Sequence, residues 1–419
     1  MHRRAHHPPT SPSAATTPAG ERDLLLDLVR TGALAVVVLW HWVFTSVRWA
    51  DDGPHVGNPV ASTTGLWALT WVLQVMPAFF VVGGALHARD RAPTRQFWRK
   101  RIRRLVVPVL PLLALATIAA LGAQLAGRAD LVRVVVLVVS PMWFLATYLV
   151  CIAVVPLARR WHDRHGVLVV VAGLAAATTV DAVRIGAGVG GPLTGAAAFC
   201  VVWATVHQLG FSFDSLRTAP RRVRLQVTVG GYAALAAVAW LAPHPAAMVG
   251  LDGHRLSNMG PPTVMVVLLG IAQIGLLALC APLLERLAER SRRVLAWAGE
   301  WTMTVYAWHL SAYVAFWALA AAWGLEVTGR TDASWWTRRP VWLIGPLLVA
   351  VPWCRTVRRL EATWSAGTRA GVGARAAQPC SAASSRSELS RRRSSTNTVV
   401  PTISSSSSAR DSMTGRSPT

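Results

Sequence analysis

The chain has 419 residues and a mass of 45.0 kDa, is 53% hydrophobic and only 15% charged, and has a mean hydropathy of +0.41. A soluble domain carries about 25% charged residues; here the charges are gathered into clusters separated by apolar stretches of about 20 residues, enough to cross a hydrocarbon core of about 30 Å. This excludes an ordinary soluble enzyme, a disordered chain, a secreted disulfide scaffold and a transmembrane barrel, whose strands alternate in polarity over about 10 residues.

The excess of 42 basic over 19 acidic residues, +23 overall, does not indicate nucleic acid. The basic residues, all Arg except Lys100, sit mainly in loops between apolar stretches and in the C-terminal tail, where membrane orientation accounts for them. Cys151, Cys200, Cys280, Cys354 and Cys380 show no CxxC spacing, so they read as packing residues and no metal site is expected.

In chain order, residues 1–21 are rich in His, Pro, Ser and Thr and are expected to be disordered. Residues 22–360 form the membrane domain. Its spans lie near 24–46, 65–86, 105–126, 134–157, 166–182, 193–209, 226–243, 261–283, 294–320 and 339–354, with Ser140-Pro141 a candidate break in the fourth. The loops 87–104, 158–165, 210–225 and 284–293 hold 19 Arg or Lys residues, against 7 in the alternate loops. The first set is therefore expected on the cytoplasmic side of the cell membrane. The fold class is all-α, a polytopic transmembrane bundle of about ten spans with both termini cytoplasmic. Residues 361–419, Ser- and Arg-rich, read as a disordered tail attracted to anionic lipid.

Ionisable groups inside spans cost roughly 2.5–3.5 kcal/mol each on insertion scales and are candidates for function. The first span carries Asp27, Arg30 and His41 on nearly one face. At 1.5 Å per residue, Arg30 and His41 are about 16 Å apart along the axis and cannot touch. The alternative is an Asp27–Arg30 pair snorkelling at the inner interface, with His41 beside Trp40 and Trp42 in an aromatic belt. In the ninth span Tyr306 and His309 share a face, and His309 lies at a depth close to that of His41. The cluster from Arg99 to Arg104 is either a topology signal or a guanidinium clamp for phosphates. Gln74, Trp143, Thr147, Tyr148, His207 and Gln273 are further polar or amphipathic groups that would serve equally as interhelical glue. Outer loops hold Asp51, Asp52, Asp181, Arg184, Asp252, Arg255 and Asn258, either contacting an acceptor or solvated.

Four ordered motifs carry a resemblance: Asp27 and Arg30 with the Arg-x10-His spacing to His41; Arg101 and Arg104 before the third span; Trp143-Phe144-Leu145 with Tyr148; and Gly299, Tyr306 and His309, with Thr302 where Ser is usual. Across residues 22–354 the chain resembles the acyltransferase-3 family of integral membrane O-acyltransferases. The resemblance implies transfer of an acyl group, commonly acetyl, from cytoplasmic acyl-CoA as co-substrate to a hydroxyl of a glycan, glycolipid or metabolite acceptor. It implies that His41 is the catalytic base, that Arg30 lines the donor path, and that Arg101 with Arg104 meets the phosphates of coenzyme A. Asp27, Tyr306 and His309 complete the expected catalytic set, the latter two stabilising an oxyanion or positioning the acceptor. An acyl-histidine intermediate is the alternative chemistry. The competing reading is a transporter or flippase that uses the buried Arg and His as a substrate or proton path. A third is a structural membrane protein.

Overall fold

The computed structural model describes residues 23–50, 53–90, 95–189, 191–251, 256–324 and 332–376. Asp51, Asp52, Asp252, Arg255, Cys380 and the N-terminal tail lie outside these. Helix α1 (Leu24–Val43) starts at Asp23, whose carboxylate accepts the Leu26 amide. An antiparallel hairpin follows, β1 (Ser46–Ala50) with β2 (Gly53–Gly57), in which Val47 faces Val56. The expected span of 24–46 takes no account of this strand pair, because two five-residue strands give too little alternation to recognise.

The second span is broken. Helices α2 (Leu66–Leu73) and α3 (Met76–Arg89) are separated at Gln74, whose ψ of 84° leaves the helical region. Backbone freed inside a membrane needs internal partners, and the side chains provide them. Gln74 Oε1 accepts the Met76 amide at 3.3 Å, and Gln273 donates to the Gln74 carbonyl at 2.8 Å. Helix α4 (Arg95–Val106) passes through a tight turn containing Pro108 into α5 (Leu110–Leu125). The next span bends by 41° at Ser140-Pro141, between α6 (Ala129–Val139) and α7 (Met142–Ala153).

Helices α8 (Val155–His165), α9 (Leu168–Asp181), α10 (Pro192–Leu209), α11 (Phe213–Thr218) and α12 (Arg221–Leu241) come next. Then follow α13 (Val264–Arg290), α14 (Arg292–Ala322), the short α15 (Ala333–Thr337) and α16 (Arg339–Ala376). Among the described residues nine helical segments are long and apolar enough to span a bilayer, and the bent α6–α7 pair makes a tenth. This is a polytopic helical bundle. Helix α16 continues beyond residue 360 to Ala376; residues 377–419 lie outside the described chain.

The core is centred on α13, buried from Val264 to Gly270 and packed against α1, α3, α10 and α12. At the Arg-rich end, called inner below, an ion network ties four helices. Arg89 bridges Asp23 at 2.9 Å and Asp214 at 2.7 Å, while Arg217 bridges Asp23 at 3.1 Å and Glu285 at 2.6 Å. Burial works against the Asp23 charge, yet the Leu26 amide and the two guanidiniums hold its carboxyl below the ordinary value.

At the opposite end the loop before α13 folds down into the bundle. Trp71 donates to the Ala246 carbonyl, Gln74 to that of Met248, and Asn258, fully buried, to those of Pro245 and Ala247. Asp181 accepts the Val264 amide at 2.7 Å and lies 3.3 Å from His244 and 3.6 Å from Arg184. Asp181, Arg184 and Asn258 thus pin this loop rather than lying solvated.

Candidate active site

His41 and His309 are each the eighteenth residue of their helices, and α1 and α14 start at the same end and pack along each other. Equal rise brings the two imidazoles to one level, with ring centroids 5.1 Å apart and planes at 61°. His41 Nδ1 lies 2.7 Å from the Val37 carbonyl, and His309 Nδ1 lies 2.8 Å from that of Tyr306. A carbonyl only accepts, so each Nδ1 carries the proton and each Nε2 keeps its lone pair. His309 Nε2 is buried with no hydrogen-bond partner among the described residues, and none of them claims His41 Nε2. An unmade hydrogen bond at a buried acceptor costs about 1–3 kcal/mol. The buried Nε2 of His309 beside the open Nε2 of the half-buried His41 forms a site able to take a proton from an incoming hydroxyl.

Three bonds fix this pair. The Trp42 indole donates to the His309 carbonyl at 3.0 Å, stitching α1 to α14 beside both rings. The Tyr306 hydroxyl donates to the Pro141 carbonyl at 2.6 Å. Its single proton is given to the break between α6 and α7, so in this arrangement the Tyr306 hydroxyl ties α14 to that break. Farther out, Arg339 stacks 3.7 Å over Trp335 and donates to the Val43 carbonyl at the end of α1.

Asp27 and Arg30 form an ion pair of 2.9 Å, each side chain about one quarter exposed (24%). Arg30 Nε is buried without a partner among the described residues. Arg101 of α4 contacts Asp90 through Nη2 and His87 through Nη1, whereas Arg104 is exposed on the same helix. Arg30, Arg101 and Arg104 do not join the histidine pair. A row of aromatic rings spans the interval. Tyr306 lies 5.7 Å from Phe144, Phe144 stacks on Tyr148 at 5.9 Å, and Tyr148 lies 6.0 Å from His87, with Arg30 and Arg101 both acting on its hydroxyl electrostatically.

The motif residues Trp143 and Phe144 belong to this aromatic packing, with Trp143 5.7 Å from Trp203. Thr147 bonds only within its helix, to the Trp143 carbonyl. Glu300 is exposed and pairs with Arg358 at 3.8 Å. Among the described residues no cluster of three His, Cys, Asp or Glu side chains is placed to hold a metal ion. Sequence reasoning placed Trp42 only in an aromatic belt and pointed to neither His87 nor Arg159. The first had a legible signal, an indole next to a buried His, but its partner is 267 residues away.

A family model described as an acyltransferase domain matches residues 23–354 of the chain. No curated protein and no solved structure gives a match.

Proposed function

The chain belongs to the acyltransferase-3 family of membrane acyltransferases, and on that premise we propose that it moves an acyl group, acetyl in the first instance, from acyl-CoA on the cytoplasmic side to a hydroxyl of a carbohydrate or glycolipid-type acceptor. The observation that carries the reading is the His41–His309 pair, which presents two unprotonated Nε2 atoms deep in the bundle. His41 Nε2 takes the proton of the acceptor hydroxyl as its oxygen attacks the thioester carbonyl. The tetrahedral adduct collapses, the C–S bond breaks, and the imidazolium returns the proton to the departing thiolate. General-base assistance of this kind contributes roughly 10²–10⁴-fold in rate.

His309 Nε2, also an acceptor, is suited to hold a second hydroxyl of the acceptor and so aim the first. On the donor side, Arg101 and Arg104 meet the phosphates of coenzyme A at the Arg-rich end, and Arg30 with Tyr148 flanks the pantetheine arm. The ring row from His87 to Tyr306 gives that arm an extended wall toward His41. No metal enters the scheme.

The test uses membranes holding the full chain, acetyl-CoA labelled in the acetyl group, and a panel of oligosaccharides and extracted glycolipids. Label appearing in an alkali-labile ester, with release of one thiol per label, is the expected result. Movement of a substrate across sealed vesicles with no thioester consumed would overturn it.

A further inference from the structure

The bundle holds a second pair of imidazoles that the scheme above does not use. His87, in the last turn of α3, and His207, in the last turn of α10, are both buried, with His87 Nδ1 2.9 Å from His207 Nε2. Backbone contact makes this possible. A Cβ at Gly84 would lie 1.9 Å from the His207 carbonyl oxygen, and one at Gly210 would lie 2.1 Å from that of Val81. Only residues without side chains let α3 and α10 approach so closely.

The proton inventory is fixed by Arg101. A guanidinium only donates, so His87 Nε2, in contact with Arg101 Nη1, must be the acceptor. The His87 proton then sits on Nδ1 and is donated to His207 Nε2, which places the His207 proton on Nδ1. One tautomer of each ring satisfies the whole row. The other nitrogen of Arg101, Nη2, bonds Asp90, and Asp90 is held in turn by Arg159, which donates to its carbonyl and, at 2.8 Å, to that of Ala88.

We propose that His87, its Nδ1 proton held by His207, is a positioning residue for Arg101: the buried pair fixes the guanidinium in the orientation that receives a phosphate of the acyl-CoA donor. Immobilising a long side chain on binding costs conformational entropy, and a guanidinium already oriented by two partners avoids much of that cost. The inference rests on the assignment of Arg101 as a phosphate contact.

The experiment is the binding of coenzyme A to the purified full chain by calorimetry, in wild type, Arg101→Ala, His87→Leu, His87→Gln, and the double variant His87→Leu/Arg101→Ala. Gln retains an acceptor close to the position of Nε2. The expected results are binding about tenfold weaker in Arg101→Ala and in His87→Leu, equal within about twofold in the double and the Arg101 single, and close to wild type in His87→Gln. A merely structural role would instead make the two losses multiply. Wild-type binding by folded His87→Leu, or a double variant much weaker than either single, overturns the proposal. Unchanged binding in Arg101→Ala overturns the phosphate assignment itself. If His87→Leu fails to fold, His207→Leu, which leaves His87 in place, carries the same comparison.

Discussion

Two pairs of histidines sit in one bundle and differ in what their second nitrogens do. In the inner pair three of the four ring nitrogens are spent, on one another and on Arg101, and so form a continuous row of donors and acceptors. In the outer pair both Nδ1–H groups are given to carbonyls of their own helices, and both Nε2 atoms stay open. His87, His207 and His309 are all buried, so burial does not separate the two pairs. The unspent lone pair does.

After the loss of the base His41 itself, the largest effect expected from that contrast is at His309. His309→Ala should lower acyl transfer by about 10²-fold, by loosening the aim of the acceptor, with little change in donor affinity, read by label transfer and coenzyme A binding. If that variant transfers at the wild-type rate, the two pairs do not divide as described. Next comes the seam under the inner pair. Gly84→Ala drives a Cβ into the His207 carbonyl and should cost about 2–4 kcal/mol or prevent folding, whereas Gly32→Ala, with open space around it, should be neutral or slightly stabilising in thermal melts.

Trp42→Phe keeps the apolar ring but removes the donor to the His309 carbonyl. Transfer should fall about tenfold for a stability loss of about 1 kcal/mol, which separates the aim of the outer pair from the integrity of the fold. The smallest effect is expected at the base of α1. The Asp23 carboxyl is held below its ordinary value, so the stability it contributes is present above that value and is lost as the pH falls through its folded value. Asp23→Asn should lower the melting temperature slightly near neutrality, and the difference from wild type should vanish under acid conditions.

Much of this was legible in the sequence. Ten apolar stretches, the weak point at Ser140-Pro141 and the matched depths of His41 and His309 follow from length and helical rise alone. Partners distant in sequence were not legible. Gln74 and Gln273 could be read only as glue, although Pro77 in the first turn of α3 stands just after the helix break they repair. Asn258 lies in a loop whose polarity suggests solvent, yet the loop folds inward and consumes it, with Asp181 at the end of α9 capping the helix that follows. Tyr306 shares the spacing of His309, but a carbonyl 165 residues away claims its hydroxyl proton.

The most direct measurement is made on His41→Ala: label transfer from acetyl-CoA, coenzyme A binding and the melting temperature, all on the same purified protein. The account predicts a folded variant that binds coenzyme A as the wild type does and transfers no measurable acetyl group. Transfer at the wild-type rate by that variant would contradict it.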